Sequence, residues 1–318
     1  MQQRKHQVKN YFDMKSVNFT ILGEQSIAND FGKKGTSTDL TLYDRKESDI
    51  IRTWVVPNGF PEKIQPLFQS IYLSEYVIFH VASLDKFTGE QIIALDSLGK
   101  KDGILCHSYD VDETRLKTMI KGTVLEQYKK VDSPHLKEEI SKFPVIQKYG
   151  DPCIVIDHCF DVKGVGTVVL GKLVSGKINQ YDKLIHLPSK SEAMVKSIQM
   201  HDDDVKEAVS PARVGLSLKN IKPDDISRGD ILSTDGSIEI RNELLLDFQQ
   251  NQFYKKTISE NEMCLVSVGM QVKAGKFLSI SPLKIKLDKP IVVLPHDICV
   301  LLKQESQSIR IIGSGKIQ

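Results

Sequence analysis

Phe160-Asp161-Val162-Lys163-Gly164-Val165-Gly166-Thr167-Val168-Val169-Leu170-Gly171 is the stretch on which the fold turns. Its ends are apolar and β-branched, and two glycines one residue apart stand in its middle, the pattern of two strands joined by a tight turn. Gly164 and Gly166 can supply the positive φ that such a turn demands. Val165, Val168 and Leu170 break strict alternation, so a β-bulge is expected in the pair. Downstream the same grammar repeats. Short apolar runs are divided by Gly176, Pro188, Gly215, Gly229 and Gly236, with Ser175-Gly176-Lys177 at a turn, Tyr181-Asp182-Lys183-Leu184 entering a strand and Arg228-Gly229-Asp230 ahead of a closing Ile231-Leu232. Short strands at this spacing, without helical stripes, read as a compact β-barrel. A polar join at 236–242 leads to further expected strands at 263–272, 277–286, 291–294, 298–303 and 309–312, hence a second barrel.

Upstream of about Phe143 the period changes. Strands are expected at 17–22, 50–56, 76–81 and 103–106, and helical stripes alternate with them. Ile64, Leu67, Phe68 and Ile71 mark a helix within 61–73. Thr88 is the expected cap of a helix carrying Ile92, Ile93, Leu95 and Leu98, with Gly99 at its C′ position. A further helix covers 112–120. Ser133-Pro134 opens a last one, with Ser as N-cap and Glu138 and Glu139 in its early turns. Alternation of this kind gives a mostly parallel sheet covered by helices. The expected architecture is an α/β Rossmann-like domain over residues 1–150, with 1–13 as a polar, basic, flexible arm, followed by two all-β barrel domains over 151–236 and 237–318. No fixed-period repeat is present.

The 318 residues are 26% charged and carry a formal net charge of +2, so no global field favours nucleic acid and any RNA-binding face must be a local patch. Cys106, Cys153, Cys159, Cys264 and Cys299 form no CxxC pair and sit in apolar stretches, which suits core thiols of a reducing cytoplasm. No apolar run is long enough for a membrane span, and no apolar segment follows the basic first residues as in a signal peptide. No membrane and no DNA partner is expected.

The segment 160–171 resembles the opening strand pair of the second domain of translational GTPases. Val195–Gln199, Arg213-Val214-Gly215-Leu216 and Asp225-Ile226-Ser227-Arg228-Gly229-Asp230-Ile231-Leu232 continue the likeness in order over some eighty residues. Val266-Ser267-Val268-Gly269-Met270 and Arg310-Ile311-Ile312-Gly313-Ser314-Gly315-Lys316-Ile317 are similar to the family's closing barrel. Gly32-Lys33-Lys34-Gly35-Thr36-Ser37-Thr38-Asp39 is similar to the selenocysteine-specific branch, particularly its archaeal paralogues. The resemblance, to elongation factor Tu, elongation factor 1-alpha and the selenocysteine-specific factor, implies a GTPase-type first domain with GTP and Mg²⁺ as cofactors. It also implies barrels that receive aminoacyl-tRNA.

Against that pattern the first domain is degenerate. A phosphate loop needs a second glycine, a lysine and a hydroxyl after its first glycine. Gly23 stands correctly after its strand, but Ala28, Asn29 and Asp30 occupy the three later positions. Residues 24–32 are also too few for the loop and a full helix. Ser37 and Asp39 remain in the element that resembles switch I. In Val56-Pro57-Asn58-Gly59-Phe60, Val56 replaces the metal-side aspartate and Phe60 the water-positioning histidine, leaving Gly59. In His107-Ser108-Tyr109-Asp110 only Asp110 matches the guanine-reading motif; it equally fits a loop carboxylate. The remnants Gly23, Ser37, Asp39, Gly59 and Asp110 do not assemble the charges that phosphoryl transfer requires. No catalytic residue, no metal site and no cofactor is therefore expected, although GTP and Mg²⁺ remain implied by family descent.

His201-Asp202-Asp203-Asp204 reads as a polar loop without metal-ligand spacing. Strand alternation puts Cys153 and Cys159 on one face and His158 on the other, which argues against a shared ion. The expected function is that of a translation elongation factor-like protein binding tRNA or a ribosome-associated component without GTP hydrolysis. Candidate phosphate contacts are Lys172, Lys177, Lys190, Lys196, Arg213 and Lys219. A weakly binding, non-hydrolysing GTP protein and a scaffold whose first domain docks a protein partner are the alternatives.

Overall fold

The computed structural model describes residues 14–235, 237–306 and 308–318; the expected arm at 1–13 lies outside them. The first domain is a seven-stranded sheet with strands β1 (Lys15–Gly23), β2 (Lys33–Ser37), β3 (Thr41–Glu47), β4 (Ile50–Val56), β5 (Tyr76–Val81), β6 (Gly103–His107) and β7 (Lys129–Lys130). Its order is β2-β3-β4-β1-β5-β6-β7, parallel from β4 to β7 with an antiparallel β2–β3–β4 flank. Between β1 and β2, where the resemblance implies a full helix, the chain makes only a six-residue 3-10 turn, Gln25–Asp30. Four short helices, α1 (Gln65–Tyr72), α2 (Lys86–Ser97), α3 (Glu113–Ile120) and α4 (Leu136–Ser141), complete the layer. Val17, Phe19, Ile21, Trp54, Tyr76 and Ile78 bury one sheet face under the 3-10 turn and α4, and Val77, Phe79 and Val81 bury the other under α1 and α2.

Strands 50–56 and 76–81 agree with the sequence reading, whereas β2 and β3 were not legible in it. Helix α1 starts later than the stripe from 61 suggests, because Pro66 fixes the first turn. Thr88 is not the cap of α2. Asp85 is, its Oδ1 accepting the Thr88 N–H at 2.9 Å, while the Thr88 hydroxyl donates to Ser83 O. Gly99 does take the left-handed C′ position, at φ +61°. Ser133 caps no helix: it lies in a 3-10 turn ahead of α4, and its Oγ is 3.2 Å from His80 Nε2.

The first barrel contains β8 (Cys153–Val162), β9 (Gly166–Ser175), β10 (Lys177–Asn179), β11 (Lys183–Leu187), β12 (Ser191–Met200), β13 (Asp203–Val205), β14 (Glu207–Val209), β15 (Ala212–Lys219) and β16 (Ile231–Ser233). Strands β11-β16-β8-β9-β15-β12 close into a ring through the β11–β12 pair, around Ile154, Ile156, Val169, Leu173, Val195 and Leu216. The strand pair carries two irregularities: Val174 of β9 is unopposed between the Cys153–Ser175 and Ile154–Leu173 pairs, and a second lies on β8. Ile156 opposes Gly171 and His158 opposes Leu170, so Asp157 is the extra residue. This insertion resets the alternation, and the two cysteines do not share a face: Cys153 packs at the joint with the first domain, and Cys159 against the barrel interior.

The second barrel contains β17 (Glu239–Gln250), β18 (Met263–Val268), β19 (Gln271–Ile280), β20 (Leu283–Val293), β21 (Ile298–Leu302) and β22 (Ile311–Ile317), closed in the order β17-β20-β19-β18-β21-β22. The expected strand 263–272 is in fact a hairpin, turned at Gly269-Met270 with Gly269 at φ +58°. The expected strand 277–286 likewise breaks at Ser281-Pro282, and β20 then runs on to Val293.

The three units share their cores. Val300, Leu302 and Ile311 of the second barrel pack with Leu67, Ile92 and Leu95 of the helical layer, and Leu40, Leu42 and Val55 meet Val155, Leu187, Ile231 and Val292. Near this joint burial pushes the Asp297 carboxyl up to about 6, against the pull of the Leu294 N–H that it accepts. A raised carboxyl binds its proton more tightly in the folded chain than in the unfolded one. Its contribution is therefore fully present below about pH 4 and is lost as pH rises through 6. Asp297→Asn is expected to raise stability at pH 8 by roughly 1–2 kcal/mol and to change nothing at pH 4. Urea midpoints at the two pH values check this.

Candidate functional site: the cleft between the first barrel and the α/β domain

The Asp157 bulge organises the site. Its carboxylate is fully buried and accepts from Arg213 Nη1 and, at 2.9 Å, from Arg213 Nη2, while His158 Nδ1 lies 2.5 Å from Oδ1. Burial would raise this carboxyl, but the Arg213 guanidinium outweighs it and holds Asp157 below the usual carboxylate range. Without the inserted residue, His158 and the positions after it would keep the alternation set by Ile154 and Ile156, and Asp157 would have no place beside Arg213. The Asp157 carbonyl accepts from Arg228 Nε at 3.0 Å, and Arg228 Nη1 reaches across to both carboxylate oxygens of Asp39, at 2.8 and 2.7 Å. Asp230 sets this turn by accepting from Ser227 N–H at 2.7 Å and facing His186 Nε2 at 3.0 Å. Gly229 is required there: its φ is +89°, and a Cβ would fall 2.7 Å from Gln271 Cγ of the second barrel. His158 Nε2 closes the circuit, 3.2 Å from Thr38 Oγ1 of the α/β domain.

Beside this network lies a cleft of about 300 Å³ between the β2–β3 hairpin and the β9–β15–β12 face. Its walls include Lys33, Lys34, Leu170, His201, Arg213 and Gly215. Arg213 spends two of its five N–H groups on Asp157, and among the described residues the others have no protein acceptor.

The nucleotide remnants are only partly assembled. Ser37, Asp39 and Gly59 lie together: Gly59 N–H donates to Asp39 O at 2.8 Å, and Ser37 Oγ is 3.0 Å from Thr41 Oγ1. Gly23 ends β1 at φ +77°, its backbone against His80 O, and Asp110 is exposed on the loop after β6. Asp39 is committed to Arg228, which outweighs burial and holds its carboxyl low. Ala28 is core, Phe60 stacks edge-on against Phe87, and Val56 is buried. These residues do not fit a triphosphate with Mg²⁺: Asn29 stands at the phosphate-loop lysine position, and the Ser37 and Asp39 oxygens have protein partners. Among the described residues no group of three or more His, Cys, Asp or Glu could hold a metal ion.

The basic candidates divide. Lys172 is a correction, since it is 5% exposed, donates to Leu73 O at 2.7 Å and pairs with Glu75 across the joint, where no phosphate can reach it. Lys177 is exposed beside Glu207 at 2.6 Å, Lys190 is exposed in the β11–β12 turn, Lys219 is exposed at the end of β15, and Lys196 is half-buried at a bulge of β12. Asp157, His158, Thr38 and Arg228 were not singled out as a site by sequence. The one available signal was the adjacent Asp-His pair directly after the apolar run Ile154-Val155-Ile156.

Residues 166–233 match the family model for elongation factor Tu domain 2. The chain is 36% identical over 298 residues to an uncharacterized protein of Methanocaldococcus jannaschii, covering 92% of this chain and 96% of that one. It is 34% identical over 116 residues to the selenocysteine-specific elongation factor of the same organism, covering 36% of this chain and 25% of that factor. Among solved structures, translation elongation factor SelB from Methanococcus maripaludis, in complex with a GTP analogue, superposes with a TM-score of 0.82 at 20% identity, over 96% of this chain and 79% of that one. An α/β sheet followed by two six-stranded barrels, the ordered barrel motifs and these relatives agree, and the chain belongs to the translational GTPase superfamily as a SelB-like member.

Proposed function

We propose that this protein is an elongation factor-like carrier that holds the aminoacylated end of a tRNA in the cleft beside Arg213 and His158 and does not hydrolyse GTP. The observation that carries the reading is the bulge-held Asp157–Arg213–His158 group, with the spare guanidinium donors of Arg213 in the wall of a cleft of about 300 Å³. The M. jannaschii relative matched over 36% of this chain is named as a selenocysteine-specific elongation factor. A selenol is far more acidic than a hydroxyl, so selenocysteine presents an anion where serine presents a neutral group, and Arg213 is suited to the anion. Exposed Lys177, Lys190 and Lys219, with Lys33 and Lys34 on the opposing hairpin, are the proposed phosphate contacts.

Filter binding with selenocysteinyl-, seryl- and uncharged tRNA over a salt series tests this. The charged forms are expected to bind more tightly than the uncharged one, with affinity falling as salt rises and selenocysteinyl-tRNA bound best. Phosphate release from GTP is expected to match the buffer blank, because the atoms that would position charge around a γ-phosphate are absent from the loops after β1 and β4. Equal, salt-independent failure with all three RNAs would overturn the reading. A protein partner on the α/β domain is the competing one, and a groove of about 1070 Å³ between α2, the end of α3 and the second barrel gives it room. Complexes that survive nuclease treatment would favour it.

A further inference from the structure

The cleft has one wall from the barrel and one from the α/β domain, and the hydrogen bond that links them at the histidine is made by a single hydroxyl. Thr38 Oγ1 lies 3.2 Å from His158 Nε2 and 3.0 Å from Asp39 Oδ1. The Asp157 carboxylate beside Nδ1 holds a proton on that nitrogen. A threonine hydroxyl has one proton to give. Facing a neutral imidazole it donates to the Nε2 lone pair; facing an imidazolium it accepts the Nε2–H and turns its own proton to Asp39. In both arrangements the ring is gripped at its two nitrogens, by Asp157 of the barrel and by a side chain 120 positions earlier.

The loop that delivers Thr38 is itself fixed. Asn58 Nδ2 donates to Thr38 O at 3.2 Å, Gly59 N–H to Asp39 O at 2.8 Å, and Arg228 clasps the Asp39 carboxylate from the far side. Arg228 also holds the Asp157 carbonyl, so the loop and the bulge are joined through two routes, one through His158 and one through Arg228.

We infer that Thr38 is a positioning residue of the aminoacyl seat: by holding His158 Nε2 it fixes the ring's orientation, while Asp157 sets its tautomer, so that loop 37–39 serves the barrel's ligand. The inference rests on the cleft being the aminoacyl seat, and the test separates the two. Thr38→Val removes the hydroxyl at nearly constant shape, and Thr38→Ser keeps it. In the ¹⁵N spectrum of the free protein at one fixed pH, Thr38→Val is expected to alter the His158 Nε2 resonance, with Thr38→Ser matching the parent. Selenocysteinyl-tRNA affinity is expected to fall about fivefold in Thr38→Val and to recover in Thr38→Ser. An unchanged Nε2 resonance in Thr38→Val overturns the inference, whatever the RNA does. An altered resonance with full affinity overturns it as well, since the ring would then take no part in the seat. If the parent protein binds no aminoacyl-tRNA, the seat itself falls and the inference with it.

Discussion

Glu90→Ala is expected to cost about 3–5 kcal/mol of stability, because it strands a buried guanidinium. Glu90 is 0% exposed on α2 and meets Arg310 of the second barrel, which is 5% exposed. Its Oε2 accepts from Arg310 Nη2 at 2.5 Å and Nε at 3.1 Å, and its Oε1 takes the Arg310 backbone N–H at 2.9 Å. Arg310 Nη1 donates to Pro61 O at 2.7 Å, and the guanidinium lies 5.5 Å from the Phe60 ring centre and 6.0 Å from that of Phe87. Phe60 thus stands where the family pattern has a water-positioning histidine and here makes a cation–π contact between domains. At roughly 2–4 °C per kcal/mol for a chain of this class, calorimetry should show a fall of roughly 6–20 °C. Glu90→Ala with Arg310→Ala is expected to lose less than the two single losses combined, because no charge is left unpaired. An unshifted transition in Glu90→Ala would mean that water reaches Arg310 and that the joint is looser than described.

The second large effect is expected at Arg213. Arg213→Ala leaves the Asp157 carboxylate buried with only His158 beside it, again about 3–5 kcal/mol, and removes the spare donors from the cleft. Aminoacyl-tRNA affinity should fall by about 2 kcal/mol, roughly thirtyfold. Arg213→Lys should recover part of the stability and little of the affinity, because an ammonium cannot grip both carboxylate oxygens and still offer donors in a plane. Urea midpoints and filter binding measure the two effects separately. A destabilised Arg213→Ala that still binds charged tRNA at full strength would confine Arg213 to a structural role.

Barrel motifs were legible because their glycines act locally: Gly164 and Gly166 must turn the chain wherever it goes, at φ +82° and +95°. Strands that alternate against solvent were legible for the same reason. What periodicity could not show was a single inserted residue. One extra position at Asp157 inverts every facing argument along β8, including the one that placed Cys153 with Cys159, and it creates the site. From its charge alone Lys172 reads as a surface cation, although Leu170, Leu173 and Val174 flank it. Its partner Glu75 is 97 residues earlier, and Arg310 finds Glu90 across 220 residues, distances at which sequence spacing carries no signal. The vacant phosphate-loop positions were readable one by one; that Asp39 would be claimed by Arg228 was not.

Because Val300, Leu302 and Ile311 complete the hydrophobic layer beneath Leu67 and Ile92, the chain is not a string of separable beads. A gene cut ahead of Glu239 would put these three side chains in water on one fragment and open a gap under the helices of the other. The exposed oil alone amounts to roughly 5–9 kcal/mol. Neither half should stay monodisperse by itself, and co-expressed halves should find each other. Any hinge in this molecule has to lie elsewhere than at that seam.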